Sequence, residues 1–156
     1  MTAGCGSGNN AGNDGGNQGG EGGVPGGAGV SWKDNGTLQT ASFGAATRTR
    51  SATLDMLQVV GSNAAGRAAG FVVSTPPPLL PGPYACSDSG VNGRIVTITA
   101  DEATMFESCM IDIGSIGETT GTRTTGSFSA TFTLSGGGTK TITDGLFDLM
   151  LIVSTL

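Results

Sequence analysis

The 156-residue chain contains no histidine, and that absence removes more chemistry than any other feature of the sequence. Ser-His-Asp and Cys-His nucleophile systems need an imidazole base, and nearly all familiar zinc hydrolase sites need imidazole ligands. No Gly-x-Ser-x-Gly turn occurs either. Charge is scarce: Asp, Glu, Lys and Arg make up 12% of the residues, and the seven basic ones are scattered singly in a chain of net charge −5. Without a basic stripe there is nothing to track a phosphate backbone, so nucleic acid is not an expected partner. With one Trp and one Tyr, the chain is poorly supplied with the coplanar aromatics that carbohydrate-binding modules display. Long apolar runs are also missing. The C-terminal LFDLMLIVSTL is interrupted by Asp148 and is far short of the roughly 20 residues of a membrane helix, so it is expected to be a buried last strand.

What is present is strand texture. Residues 126–149, GSFSATFTLSGGGTKTITDGLFDL, alternate apolar and hydroxyl side chains, turn at three glycines and alternate again. Phe128, Ala130, Phe132 and Leu134 fall on one face, and Ser127, Ser129, Thr131 and Thr133 on the other, which is the period of a half-buried strand. The stretch Gly136-Gly137-Gly138-Thr139-Lys140-Thr141 echoes a phosphate loop, but strands bound it on both sides, whereas a phosphate loop opens a helix. It reads as a hairpin turn.

The first 29 residues, MTAGCGSGNNAGNDGGNQGGEGGVPGGAG, are mostly Gly with Asn, Asp and Gln, and have too little apolar surface to offset the entropy of ordering. They are expected to be a disordered tether, leaving residues 30–156 as one domain. Calcium-binding nonapeptide repeats are suggested by Asp14-Gly15-Gly16, but the apolar position that builds such a roll is missing. Ala3-Gly4-Cys5 ahead of the tether is patterned like the end of a lipoprotein signal, in which the cysteine is acylated and becomes the mature N-terminus. Thr2 stands where Leu is favoured, and the basic and apolar regions of a signal peptide are missing from these first residues. The expectation is a signal-peptide remnant, with Cys5 lipidated when an intact signal lies upstream.

From residue 30 onward short strands follow one another. Residues 30–33 and 37–43 flank Asp34-Asn35-Gly36, whose Asn-Gly pair is a strong hairpin signal. Trp32 lies on the first of these strands. Residues 53–60 and 69–75 read as the next pair, joined by a small polar loop. Residues 76–83, PPPLLPGP, lack ladder donors and are expected to cross from one edge or sheet to another. GPYAC then enters a strand, and RIVTITA (94–100) is expected to pair with SCMIDI (108–113) across a hairpin tip, DEATMFE. That tip, with Asp101, Glu102, Phe106 and Glu107, joins Trp32 and Tyr84 as the candidate ligand surface. The acids Asp101, Glu102, Glu107, Asp112, Asp144 and Asp148 are the stock from which a glycosidase pair would be drawn. Cys86 and Cys109 remain as an even pair once Cys5 is set aside, and a disulfide between them fits an oxidising compartment. Two cysteines without histidine supply too few ligands for zinc, and no metal or cofactor is expected.

Trp32 after a short leading strand, LQVVGSN, GPYAC, IVTIT, GSFSATFTL and KTITDGLFDL together resemble a group of uncharacterised extracytoplasmic lipoproteins of bacteria such as the Bacteroidetes and myxobacteria. Their single β-sandwich-like domain follows an acylated cysteine and a low-complexity spacer. The likeness covers most of residues 30–148 and implies location and fold. The fold expected is all-β, an antiparallel β-sandwich or flattened barrel of about seven to ten strands. The function expected is a non-enzymatic cell-envelope lipoprotein domain, anchored to the membrane by its lipid, with an envelope protein or glycan as ligand. The alternatives are a carbohydrate-binding module and a carboxylate-based glycoside hydrolase.

Overall fold

The computed structural model describes residues 29–101 and 105–156; Cys5, the glycine-rich segment and Glu102 lie outside the described residues. Ten strands are found: β1 (Gly29–Asp34), β2 (Thr37–Thr40), β3 (Phe43–Arg50), β4 (Asp55–Ser62), β5 (Ala68–Thr75), β6 (Gly82–Ala85), β7 (Ile95–Ala100), β8 (Met105–Ser115), β9 (Arg123–Thr133) and β10 (Thr139–Thr155). They run in the order β6-β8-β9-β10-β3-β4-β5-β7, with β1 on β10 and β2 on β1. The result is a nearly closed flattened barrel.

The β9–β10 hairpin is its spine. Phe128, Ala130 and Phe132 on β9, and Ile142, Phe147, Leu149 and Leu151 on β10, are all buried, a bulge between Ile142 and Gly145 shifting the alternation of β10 by one residue. β10 is long enough to serve both halves of the barrel. Its first part pairs antiparallel with β9 and β1, and residues 151–155 pair with β3. The last strand is buried on one face only, since Met150 and Ile152 are exposed.

Two expectations about pairing are corrected. The β3–β10 ladder is parallel in a barrel otherwise antiparallel. The cause is chain direction: β1 is antiparallel to β10, β2 is antiparallel to β1, and β3 continues β2 after a break at Ala41-Ser42. Arriving on the same edge of β10 without a further reversal, β3 can only run parallel. The second correction concerns residues 94–113, which form no hairpin. β7 pairs with β5, while β8 pairs with β6 and β9. A two-stranded hairpin is favoured by Gly or Asn at positive φ in its turn, and DEAT has neither. Asp101 is instead bonded to the start of β5, accepting from the Ala68 N–H at 3.0 Å, so the chain turns a corner between the two sides of the barrel.

The proline run makes the other crossing, from the end of β5 to β6 on the opposite side. β6 and β7 are thereby the two ends of the strand order, and the turn that follows β6 fills the seam between them. Cys86, which follows β6, is disulfide-bonded to Cys109 on β8, with Cα atoms 5.1 Å apart. The 3-10 turn Cys86–Asp88 packs against both β7 and β8. Ser89 completes the closure: its Oγ donates to the Val96 carbonyl at 2.7 Å and accepts from the Val96 N–H at 2.8 Å, so one hydroxyl occupies the place of a neighbouring strand on the free edge of β7.

The interior is filled. Phe71 meets Phe147 at a ring-centroid distance of 5.2 Å and Phe128 at 5.8 Å, with Trp32, Leu57, Val73 and Ile111 fully buried around them. Gly126 and Gly145 make room for these rings. A Cβ built at Gly126 would lie 2.6 Å from the Phe147 ring, and one at Gly145 2.7 Å from the Phe128 ring.

Candidate functional site

Charged side chains gather at the two ends of the barrel. At one end, Arg48 on β3 and Asp55 on β4 are both fully buried and paired two-pronged, Nε to Oδ1 at 2.8 Å and Nη2 to Oδ2 at 2.7 Å. The remaining guanidinium hydrogens go to the Gly117 carbonyl at 2.8 Å, Glu118 at 3.1 Å and the Leu79 carbonyl at 3.3 Å. Asp55 accepts in addition from the Leu79 N–H at 3.0 Å. Burial pushes the Asp55 carboxyl up, but the bonds from Arg48 and Leu79 and the charges of Arg48 and Arg50 outweigh it and hold it below the usual carboxylate range. Glu118 is lowered as well, first through its bond from Arg48. Strands β3 and β4, the proline crossover and the β8–β9 loop are thus tied at one point.

At the other end, the buried Lys140 ammonium lies 3.0 Å from Asp34 and 3.5 Å from Asp101 and donates to the Asp101 carbonyl at 2.8 Å. Arg67 pairs with Asp101 at 2.7 Å. Burial raises the Asp101 carboxyl, and the Arg67 bond, the Ala68 N–H and the Lys140 charge together bring it below its ordinary value. Two carboxylates meet here, but both are held by the same cation, so neither has the freedom of an acid or a base.

The candidate ligand surface is redistributed accordingly. Trp32 is fully buried and Tyr84 nearly so, so no exposed aromatic platform joins them; alternation puts Trp32 on the face of β1 turned toward the core, beside Val30. The Trp32 indole N–H has no partner. Tyr84 donates its hydroxyl to the Leu80 carbonyl at 2.7 Å and turns its ring face to Arg94, whose guanidinium carbon lies 5.8 Å from the ring centre. Asp101 is the brace just described. Phe106 and Glu107 are exposed on β8, beside the strongly exposed Met105, and Glu107 accepts from the Thr133 hydroxyl. Glu102 lies outside the described residues. Of the other acids, Asp144 pairs with Lys33 at 2.8 Å and Asp148 with Arg123.

Besides a hollow of about 250 Å³ beside Asp34, Arg67 and Lys140, two larger concave surfaces lie on the described residues. On the outer face of β8, β9 and β10, adjoining grooves of about 600 and 370 Å³ share Met110 and Ser129 and set the hydroxyls of Ser108, Ser127, Thr131 and Thr141 among apolar surface. The Lys33–Asp144 pair lies at one margin. This is the polar face of the sequence alternation, and it can offer hydrogen bonds to a neutral polar ligand. The second is a cleft of about 420 Å³ under the proline crossover, lined by Thr75, Pro76, Pro78, Tyr84, Asn92 and Arg94 together with the rest of the run. No family model, curated protein or solved structure matches this chain. What the domain does must be read from these surfaces and from the chemistry that holds the barrel shut.

No signal in the sequence pointed to Arg48 and Asp55, because their strands alternate ordinary residues and a buried charge pair leaves no mark on periodicity. Arg94 was legible only as the first residue of a strand. Among the described residues no group of three or more acids or cysteines is placed to hold a metal ion.

Proposed function

We propose that this chain is a non-enzymatic extracytoplasmic lipoprotein domain, held at the cell envelope by a lipid on Cys5 and acting as a binding or structural module. The observation that carries the reading is the Cys86–Cys109 bond, since disulfides persist in oxidising compartments and are rare where thiols are kept reduced. The engagement of Asp55, Asp101, Asp144 and Asp148 in ion pairs supports a module that binds rather than one that transfers protons. The glycine-rich stretch after Cys5 suits a spacer between lipid and barrel, in keeping with the resemblance to envelope lipoproteins.

A glycan-binding role is the second reading, and the hydroxyl-bearing grooves on β8, β9 and β10 favour it over one built on Trp32. The carboxylate-based hydrolase is the weakest of the three, because it needs two free acids facing a cleft.

Labelling cells that express the gene from its own locus with a fatty-acid analogue tests the anchor. Lipid is expected on the wild type and none on Cys5→Ser. A wild type without lipid would refute the anchored reading.

A further inference from the structure

Six of the seven basic residues are bound in ion pairs, and among the described residues Arg94 alone has no carboxylate partner. It is exposed and lies over the Tyr84 ring at the margin of the proline cleft. The same cleft is lined by Thr75, whose hydroxyl is buried and has no hydrogen-bond partner. That hydroxyl is enclosed in the cleft wall, so the charged group the cleft presents to solvent is the guanidinium. Asn92 adds an amide beside it, on a backbone held at φ 51°. The walls are Pro76, Pro78 and Pro83, rigid rings without N–H donors that offer apolar surface and nothing to compete for an anion.

From this arrangement we propose that the cleft beneath the proline crossover is a binding site for a small organic carboxylate, whose anion lies on Arg94 and whose apolar body lies against the prolines. A guanidinium presents parallel N–H donors that match a planar carboxylate, and its place over the Tyr84 ring, 5.8 Å from the centroid, keeps it at the cleft. The cleft volume of about 420 Å³ is within the range of small-molecule sites. Asn92 can hydrogen-bond the second oxygen or a neighbouring polar atom. The proposal deepens the binding reading given above and rests on it, but it is independent of the lipid anchor.

Benzoate is the test probe, with benzamide as its neutral counterpart and inorganic phosphate as an anion without an apolar body. The full chain is titrated and followed by amide and aromatic NMR shifts. Saturable shifts are expected at Asn92, Gly93, Arg94 and Tyr84, with a Kd on the order of 1 mM for so small a probe. Arg94→Gln should weaken benzoate by about tenfold or more, the worth of a charged hydrogen-bonded pair. Arg123→Gln, on another face, should leave it unchanged. Benzamide and phosphate should each bind about tenfold more weakly than benzoate. Absence of saturable shifts, equal binding of benzamide or phosphate, or an Arg94→Gln protein that binds as the wild type does, would each overturn the proposal. Failure here would leave fatty-acid labelling of Cys5 unaffected, so the two readings fall separately.

Discussion

At the scale of single residues, the buried Arg48 is the side chain with most at stake. Its N–H groups reach Asp55, Glu118 and the carbonyls of Leu79 and Gly117, so removing the guanidinium strands a buried carboxylate and two carbonyls at once. Breaking a buried pair by deleting one partner costs about 3–5 kcal/mol, much of it from the charge left behind. Arg48→Met should therefore lower stability by that amount in urea unfolding, and the double variant Arg48→Met/Asp55→Leu should recover part of the loss. A double variant no more stable than the single one would mean that the carbonyl contacts, not the stranded charge, set the cost. Gly126 is constrained differently. A Cβ there would run into the Asp112 carbonyl oxygen and lie 2.6 Å from the Phe147 ring, so Gly126→Ala must shift the β8–β9 backbone as well as a core ring, at the upper end of about 1–3 kcal/mol. A neutral effect on the urea midpoint would show that strand and ring both have room to move.

Strands and their connections show how the seam works. β7 ends the strand order with a free edge, and Ser89 caps it by bonding both backbone groups of Val96. Ser89→Ala leaves both groups without that partner, and should cost about 1–3 kcal/mol and speed hydrogen exchange at the Val96 amide. Unchanged exchange there would remove Ser89 from its role as a substitute strand. The same scale separates what was legible in the sequence from what was not. The β1–β2 and β9–β10 hairpins were readable because Asn35-Gly36 and Gly137-Gly138 mark turns at positive φ, and β9 alternates buried Phe128, Ala130 and Phe132 with hydroxyls. β3 was missed, since FGAATRTR has small and charged residues where a strand core shows bulky ones, and its burial comes from the barrel closing over it. β7 and β8 were assigned to one hairpin because adjacency in sequence is the usual guide to pairing. What separates them is the tie of Asp101 to Ala68, a long-range hydrogen bond that no local pattern announces. The Cys86–Cys109 pairing was inferred correctly because the short Tyr84 strand does lie along β8. Tyr84 and Trp32 were named as surface aromatics, and periodicity alone could not say which face of their strands was covered.

For the whole molecule, the two polar ends make stability depend on pH. Asp55, Asp101 and Glu118 all titrate below their ordinary values in the folded barrel. A depressed carboxyl binds its proton less readily folded than unfolded, so its contribution is fully present above the unfolded pKa, near 4. It is lost as the pH falls from there through the folded values. The urea midpoint should be flat from neutral pH to about 5 and fall below about 4, and a midpoint that rose on acidification would reverse the sign. Reducing the disulfide acts on the same scale. It opens a loop of sequence separation 23 that the chain-entropy model values at about 3 kcal/mol. Against total stabilities of about 5–15 kcal/mol, that is enough for the oxidation state of the compartment to decide how well the barrel holds.

The covalent tie from the turn after β6 to β8, which belongs to an oxidising compartment, is read directly from the thiols themselves. Protein is taken from its native cells with free thiols trapped at lysis and is then mapped without reduction. The account predicts one cross-linked peptide joining Cys86 to Cys109 and no alkylation at either residue. Both cysteines recovered alkylated from freshly trapped cells would contradict it, because the barrel would then be standing in a reducing compartment without that tie.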